Sequence, residues 1–64
     1  MNQQIIGKFI SHKRKEKNLT QEQLAEKLGV SNKTISKWET GKSMPDYSIV
    51  ENLCEELEIT VAEL

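Results

Sequence analysis

The chain has 64 residues and a formal net charge of −1, and its length and composition exclude several kinds of protein. A chain this short forms one domain, close to the lower limit for a stable single core. Its single cysteine excludes an internal disulfide and a zinc cluster, so we expect neither a cofactor nor a metal site. The most apolar stretches are only four or five residues long, which predicts a cytoplasmic protein without a signal peptide and without membrane contact.

Charge is divided unevenly along the chain. All nine basic residues lie between positions 8 and 42, together with four acidic residues, so this part has a net charge of +5. From position 43 onward there are six acidic residues and no basic residue, which gives −6. The asymmetry is consistent with an anionic partner for the first two-thirds of the chain, but two solvated helix surfaces would give the same numbers. Charge alone leaves both interpretations open.

The spacing of apolar residues predicts helices only, beginning with two in the first half of the chain. Apolar residues at 5, 6, 9 and 10 form the stripe of a first amphipathic helix, which continues through the polar stretch at 11–17. A second helix is predicted to begin at Thr20, which forms a capping-box pattern with Gln23. Gly29 is expected to end this helix in the left-handed conformation.

Three further helices are predicted in the second half. The third begins after Ser31, a good N-cap, and runs to about Thr40. Pro45 and Asp46 suit the first turn and the positive end of a fourth. The capping-box sequence TVAE at 60–63 starts a fifth, with one residue following it. We therefore expect an all-α, compact bundle of five short helices, forming a single domain at 1–64 that is the N-terminal part of a longer protein.

The third helix, in the stretch SNKTISKWETGK at 31–42, has two unlike faces. At about 100° per residue, Ile35 and Trp38 point to one side, which predicts core positions. Trp38 could instead stack on DNA, but its spacing from Ile35 favours the core. The opposite face is polar and consists of Lys33, Ser36, Lys37 and Thr40. Asn32 lies near the helix tip, between the two faces. A short helix with so many exposed donors is expected to face a partner.

Two short helices joined by a three-residue turn that contains glycine are typical of a helix-turn-helix. The segment TQEQLAEKLGVSNKTISKWETGK resembles the helix-turn-helix of the lambda-repressor-like family, in particular its bacterial Cro/C1-type (XRE-type) regulators. The resemblance extends over nearly the whole chain. It rests on residues at fixed spacings: Thr20, Gln21, Leu24, Ala25, Gly29, Val30, Ser31, Ile35, Trp38, Glu39 and Gly41. It implies a lambda repressor-like DNA-binding domain whose third helix lies in the major groove of double-stranded DNA.

The resemblance implies base recognition by the third helix. Lys33 and Lys37 lie one turn apart, and a lysine can donate hydrogen bonds to guanine O6 and N7. Asn32 could pair with adenine or with a phosphate, and Ser36 and Thr34 are lesser candidates for base contacts. A solvated helix face is the alternative interpretation of these residues.

A second set of residues is expected to hold DNA phosphates, which fix register without carrying sequence information. Gln21 matches the glutamine that begins the family's second helix and binds a phosphate, although it could simply support the helix cap. Thr40 and Lys42 flank Gly41 where the family's loop touches phosphates, and Lys42 could also be a solvated loop residue. Lys13 departs from the family pattern, in which many members have an apolar residue. Its stem could lie along the core edge, or its amine could reach a phosphate.

The remaining matched residues are expected to be structural. Arg14 and Glu39 match a pair that forms a salt bridge in family members and ties the first helix to the third. A bidentate arginine–carboxylate pair would position the third helix rather than touch a base. Ile35 and Trp38 are expected in the core, and Gly29 in the turn.

The sequence therefore predicts a sequence-specific DNA-binding, repressor-like transcriptional regulator and no enzyme. One histidine, one cysteine and no Gly-rich phosphate loop leave little basis for catalysis. The alternative is a helix-turn-helix module used mainly for protein–protein contact, such as an antitoxin or adaptor, because fold alone does not fix function. That module should carry apolar residues on the outward face of the third helix. The family implies homodimers on half-sites roughly 34 Å apart. The 64-residue length and the interrupted last helix predict a weak or absent dimer in free solution.

Overall fold

The structure, a computed structural model, describes residues 2–64. Four α-helices and one 3-10 helix follow one another along the chain: α1 (Gln3–Glu16), α2 (Gln21–Leu28), α3 (Asn32–Glu39), α4 (Tyr47–Leu57) and the 3-10 helix (Val61–Glu63). No strand occurs in this part of the chain, so the predicted all-α class is confirmed. None of these helices combines the length and apolar character that crossing a bilayer requires.

The prediction of a fifth helix is wrong in one respect, since the last element is a single 3-10 turn. Its capping box forms, with the Glu63 N–H donating to Thr60 Oγ1 over 3.3 Å. The backbone N–H groups of Glu63 and Leu64, however, donate to carbonyls three residues earlier instead of four. Forming a first helical turn is unfavourable, and three residues give no length over which α-helical bonds could compensate.

The signals that begin and end α2 and α3 act locally. Thr20 Oγ1 accepts the Gln23 N–H over 3.0 Å, and the Gln23 side chain accepts the Thr20 N–H over 2.9 Å. Gly29 ends α2 with φ +73°, a left-handed conformation that glycine adopts without a Cβ penalty. Ser31 Oγ then accepts the Thr34 N–H over 3.3 Å and starts α3. The turn between the two helices is therefore set by side chains at its own ends.

The start of α4 lies later than predicted. Pro45 is buried in the connection before the helix, and Asp46 is the N-cap residue with an extended backbone. The Asp46 side chain makes no capping bond; it accepts a hydrogen bond from Ser48 Oγ over 3.1 Å instead. Pro45 in the first helical turn was a wrong prediction, because the extended Asp46 that follows it is the N-cap and the helix begins only at Tyr47.

The core lies where α3 packs against α1 and α2 and where α4 closes the bundle. Its eight clustered side chains come from all four helices: Ile6, Ile10, Leu24, Ala25, Ile35, Trp38, Leu53 and Leu57. Helices α1 and α3 approach each other closely at Gly7, where a Cβ atom would lie 2.2 Å from the Trp38 carbonyl oxygen. Glycine therefore allows α1 to lie directly against the C-terminal end of α3.

Candidate nucleic-acid interface

The outward surface of α3 carries the predicted base-reading side chains. Asn32, Lys33 and Lys37 are exposed, and Ser36 is half-buried beside them. Ile35 and Trp38 point the other way and are 0% and 4% exposed. Both lysine amines are therefore free to meet a partner that approaches α3 from outside.

Thr34 shares its surroundings with only one of the other four candidates, Lys37. It lies on the α4 side of α3 and lines an open depression with Val30, Lys37 and Met44. Its hydroxyl lies 3.1 Å from Ser31 Oγ, at the cap of the same helix. The structure thus places Thr34 at the edge of the outward surface rather than at its centre.

A buried ion pair fixes the C-terminal end of α3 to α1. Arg14 Nε donates to Glu39 Oε2 over 2.7 Å, and Arg14 Nη2 donates to Glu39 Oε1 over 3.1 Å. The third arginine nitrogen, Nη1, donates to the Leu19 carbonyl oxygen over 2.7 Å. Only 8% of Arg14 is exposed, and all three guanidinium nitrogens donate to protein acceptors. The Arg14–Glu39 pair that the resemblance implied is present.

Gln21 has a partner that the sequence does not predict. Its Nε2 donates to Glu39 Oε1 over 3.0 Å, which joins the start of α2 to the same carboxylate. Arg14, Gln21 and Glu39 are far apart in sequence, so no local signal reveals this three-residue network. Because a side-chain amide has two N–H groups, the second one stays available to an outside acceptor.

The residues after α3 fold back over its end. Gly41 has φ +79°, and the Lys42 N–H then donates to the Lys37 carbonyl over 2.9 Å. The Thr40 hydroxyl donates to the Ser36 carbonyl oxygen over 2.9 Å. Its hydrogen is therefore already used within α3, whereas the Lys42 side chain is exposed at the end of the helix.

Lys13 is not brought to this surface. Lys13 lies six positions after Gly7, the residue of α1 that contacts α3. Six positions correspond to a rotation of about 120° around the helix axis, so Lys13 points away from the direction of Gly7. Its amine lies 3.3 Å from Glu16 Oε1 and 5.7 Å from the centre of the Phe9 ring. One turn further along the same flank, Lys17 pairs with Glu58 at the end of α4. Lys13 therefore faces the α4 side of the molecule.

Ion pairing divides the nine basic side chains into two groups. Four of them pair with carboxylates: Lys13 with Glu16, Arg14 with Glu39, Lys17 with Glu58 and Lys27 with Glu56. The other five have no carboxylate oxygen within 4.0 Å among residues 2–64: Lys8, Lys15, Lys33, Lys37 and Lys42. Three of these five belong to α3 and the loop that follows it. Unpaired positive charge is thus concentrated around α3.

Among residues 2–64, two groups have a shifted pKa, and both lie outside α3. A hydrogen bond from Lys13, with its positive charge, lowers the pKa of Glu16. Burial, with a smaller contribution from Glu63, raises the pKa of the Cys54 thiol, which keeps it protonated. A protonated, buried thiol is a poor nucleophile. Residues 2–64 bring together no cluster of three or more side chains that could hold a metal ion.

Comparison with known proteins identifies the same architecture. A family model described as helix-turn-helix matches residues 10–64. The HTH-type transcriptional activator BcrR of Enterococcus faecalis is 50% identical over 48 residues, which are 75% of this chain and 24% of BcrR. The cryptic phage CTXphi transcriptional repressor RstR of Vibrio cholerae is 33% identical over 59 residues, which are 92% of this chain and 53% of RstR.

A solved structure agrees with this assignment. The P22 c2 repressor protein, in complex with a synthetic operator, superposes with a TM-score of 0.84 at 30% identity, covering 88% of this chain and 85% of that one. The chain spans about a quarter of the length of BcrR and about half that of RstR. The family match covers most of the 64 residues, including α2, its turn and α3. The chain therefore belongs to the helix-turn-helix family, in its Cro/C1-type branch.

Proposed function

We propose that this chain binds double-stranded DNA sequence-specifically, with α3 in the major groove, and acts as a repressor-like regulator of transcription. The observation that carries the proposal is the exposed polar surface of α3, with unpaired lysines at positions 33 and 37. The major groove admits one helix and displays donors and acceptors that distinguish all four base pairs. Two relatives bear the names of a transcriptional activator and a repressor, and the P22 c2 repressor structure contains an operator.

In this proposal the centre of α3 reads bases. Lys33 and Lys37 donate to guanine O6 and N7, and Asn32 at the helix tip pairs with adenine or a phosphate. Ser36 lies between the two lysines, and its shorter side chain contacts a base that lies closer to the helix. Thr34, at the edge beside α4, contributes least, because its hydroxyl is near Ser31 in the helix cap.

Phosphate contacts come from the residues around α3. Gln21 offers its second amide N–H, and Lys42 offers an exposed amine. Thr40 can contribute through its hydroxyl only by giving up its bond to Ser36. Lys13 faces the α4 side and is left out of the proposed contacts. Because Glu39 holds both Arg14 and Gln21, the phosphate contact of Gln21 and the orientation of α3 depend on one carboxylate.

A module used mainly for protein–protein contact receives less support from the structure. Such a surface would carry apolar side chains at its centre, whereas the centre of the outward α3 surface has Lys33, Ser36 and Lys37. Fold alone would allow either use, so the chemistry of this surface decides between them.

The proposal includes a homodimer that forms on DNA and is weak or absent in free solution. The molecule measures 27 × 23 × 22 Å, so two copies fit on half-sites one helical turn apart, roughly 34 Å. From position 43 onward the chain has six acidic residues and no basic one. A symmetric contact through α4 and the 3-10 helix would bring like charges together, which opposes association without DNA.

Selection from random duplex DNA tests the proposal. The chain should enrich an inverted repeat, and sedimentation should show a monomer alone at micromolar concentration and two chains on the enriched duplex. The matched control is the Lys33→Ala/Lys37→Ala double variant, which retains Gln21, Lys42 and the buried network. It should lose the enriched sequence while keeping weaker, unspecific binding. No enrichment by the original chain would refute the proposal, and a tight dimer without DNA would refute its oligomeric part.

A further inference from the structure

An open depression lies between the start of α1 and the end of α3. Its volume is about 380 Å³, and it is lined by Gln4, Lys8, Glu39 and Thr40. Gln4 and Lys8 are one helical turn apart and exposed, so both side chains lie at the rim of the depression. Neither residue belongs to the sequence-predicted interface, because they precede the helix-turn-helix motif.

Close packing fixes the position of this depression relative to α3. At Gly7, α1 lies so near α3 that a Cβ would be 2.2 Å from the Trp38 carbonyl oxygen. At Gly41, a Cβ would be 2.7 Å from Gln4 Cγ. The first turns of α1 therefore cover the C-terminal end of α3, and Lys8 is held next to the proposed DNA surface.

Lys8 has no anionic partner within the described chain. The nearest carboxylate in the depression is Glu39, whose two oxygens already accept hydrogen bonds from Arg14 and Gln21. The Lys8 amine forms no ion pair with it or with another acid of residues 2–64. Lys8 is therefore a solvated positive charge at the mouth of the depression. The acid of that depression, Glu39, already has its hydrogen-bond partners.

Two polar side chains near this end of α3 are already engaged within the protein. The Thr40 hydroxyl hydrogen is used by the Ser36 carbonyl, and one N–H of Gln21 is used by Glu39. Among the residues that line the depression, Lys8 is the cation, so it can offer a DNA phosphate the donor that Thr40 does not.

We propose that Lys8, assisted by the Gln4 amide, forms a backbone-phosphate site on α1 that extends the DNA interface beyond α2, α3 and the loop at Lys42. The inference rests on the proposed DNA-binding function. A flexible ammonium is suited to a phosphate as a point charge, and a phosphate contact fixes register without reading sequence. The site strengthens binding to matched and mismatched duplexes alike.

The test compares Lys8→Gln with Lys27→Gln by titrating the selected duplex, and a single-substituted duplex, at several salt concentrations. Lys27 undergoes the same charge change, but its amine lies 3.9 Å from Glu56 of α4. Lys8→Gln should reduce the slope of log affinity against log salt by about 0.9 per bound chain. For each bound chain, the ratio of the original protein's affinity to that of Lys8→Gln should then fall about 3.5-fold when salt is raised from 50 to 200 mM. Lys27→Gln should leave the slope unchanged.

Three outcomes would overturn the site. An unchanged slope for Lys8→Gln, with the original chain showing salt dependence and sequence preference, would remove Lys8 while leaving the proposed function intact. A changed base preference in Lys8→Gln would make Lys8 a base reader. If the original chain binds no duplex, both proposals fail together. Gln4→Ala should weaken binding slightly without changing the slope, and equal urea midpoints for all variants would show that folding is unaffected.

Discussion

The first 42 residues and the last 22 are both helical, yet they use charge in opposite ways. The first part has nine basic and four acidic residues, and the second has six acidic residues and no base. In the folded chain, Glu56 and Glu58 of the second part lie beside Lys27 and Lys17 of the first. The acidic segment therefore neutralises lysines on one side of the domain.

This contrast explains why a net charge of −1 is compatible with an anionic partner. Lys33, Lys37 and Lys42 have no carboxylate oxygen within 4.0 Å among residues 2–64 and keep their charge unpaired. A local concentration of one sign attracts an oppositely charged partner, whatever the total charge of the molecule. Each of the following experiments challenges the distinction between the α3 surface and the acidic side, or makes it more quantitative.

The largest effect should come from Glu39→Ala, which removes the carboxylate that holds α3. It leaves a buried guanidinium without its ion, and breaking a buried pair costs about 3–5 kcal/mol. A double-mutant cycle with Arg14→Ala, measured by urea unfolding, should give a coupling energy of about 1 kcal/mol or more. Glu56→Ala, on the acidic side, is the matched control and should cost much less. Coupling near zero would show that the network does not hold α3 in place.

The next largest effect should be on base recognition. Lys33→Ala and Lys37→Ala should each lower DNA affinity by about 1–3 kcal/mol and relax preference at particular base pairs, because each loses contacts to guanine. Titration against matched and single-substituted duplexes measures both changes. Equal losses on every sequence would show that these lysines hold phosphates. Loss of neither affinity nor preference would show that α3 faces something other than DNA.

A smaller effect, on the salt dependence of DNA binding, should distinguish the neutral phosphate contact of Gln21 from the charged contact of Lys42. Gln21→Ala should weaken binding to every sequence alike and leave the salt slope nearly unchanged, because a neutral side chain displaces few counterions. Lys42→Ala should reduce that slope by about one. Unfolding curves must accompany the Gln21 titrations, since its amide also binds Glu39. A salt slope that falls with Gln21→Ala and stays constant with Lys42→Ala would reverse the two assignments.

The smallest effect is expected on the acidic side. Lys27→Gln breaks an exposed pair with Glu56 and should change the free energy of unfolding by about 1 kcal/mol or less. Its affinity for the selected duplex should stay close to that of the original chain, since Lys27 is paired with Glu56 of α4. A loss as large as that of the Lys33 variant would mean that the interface extends to the acidic side, and the contrast between the two regions would be false.

Local sequence signals predicted much of the fold. The capping box of Thr20 and Gln23, the left-handed Gly29 and the Ser31 cap are interactions between residues within a few positions of one another. Such contacts form wherever the segment is placed, so a pattern in the sequence is enough to reveal them. Pro45 was misplaced because proline is compatible both with the first turn of a helix and with the extended chain just before the N-cap. The last helix was mispredicted because a capping box occurs in a 3-10 turn as well as in an α-helix.

The candidate site was predictable only in part for the same reason. The two faces of α3 follow from helical periodicity alone, which places Ile35 and Trp38 opposite Lys33 and Lys37. The resemblance supplied Arg14 with Glu39, a pair separated by 25 positions. The bond from Gln21 to Glu39 and the depression beside Lys8 had no signal in the sequence, since each joins residues from different helices.

Capping and periodicity act over a few residues, so the amino-acid sequence was sufficient to establish that the chain is helical, where α2 and α3 begin and end, and which side of α3 is polar. The packing of the helices was needed to establish which cations stay unpaired, that Lys13 faces α4, and that Lys8 lies beside Thr40. Those properties depend on how α1 crosses α3 at Gly7 and how the acids of α4 reach Lys17 and Lys27. The crossing of α1 over α3 and the pairing of the α4 acids with these lysines both depend on contacts between distant segments. No short stretch of the chain encodes such contacts.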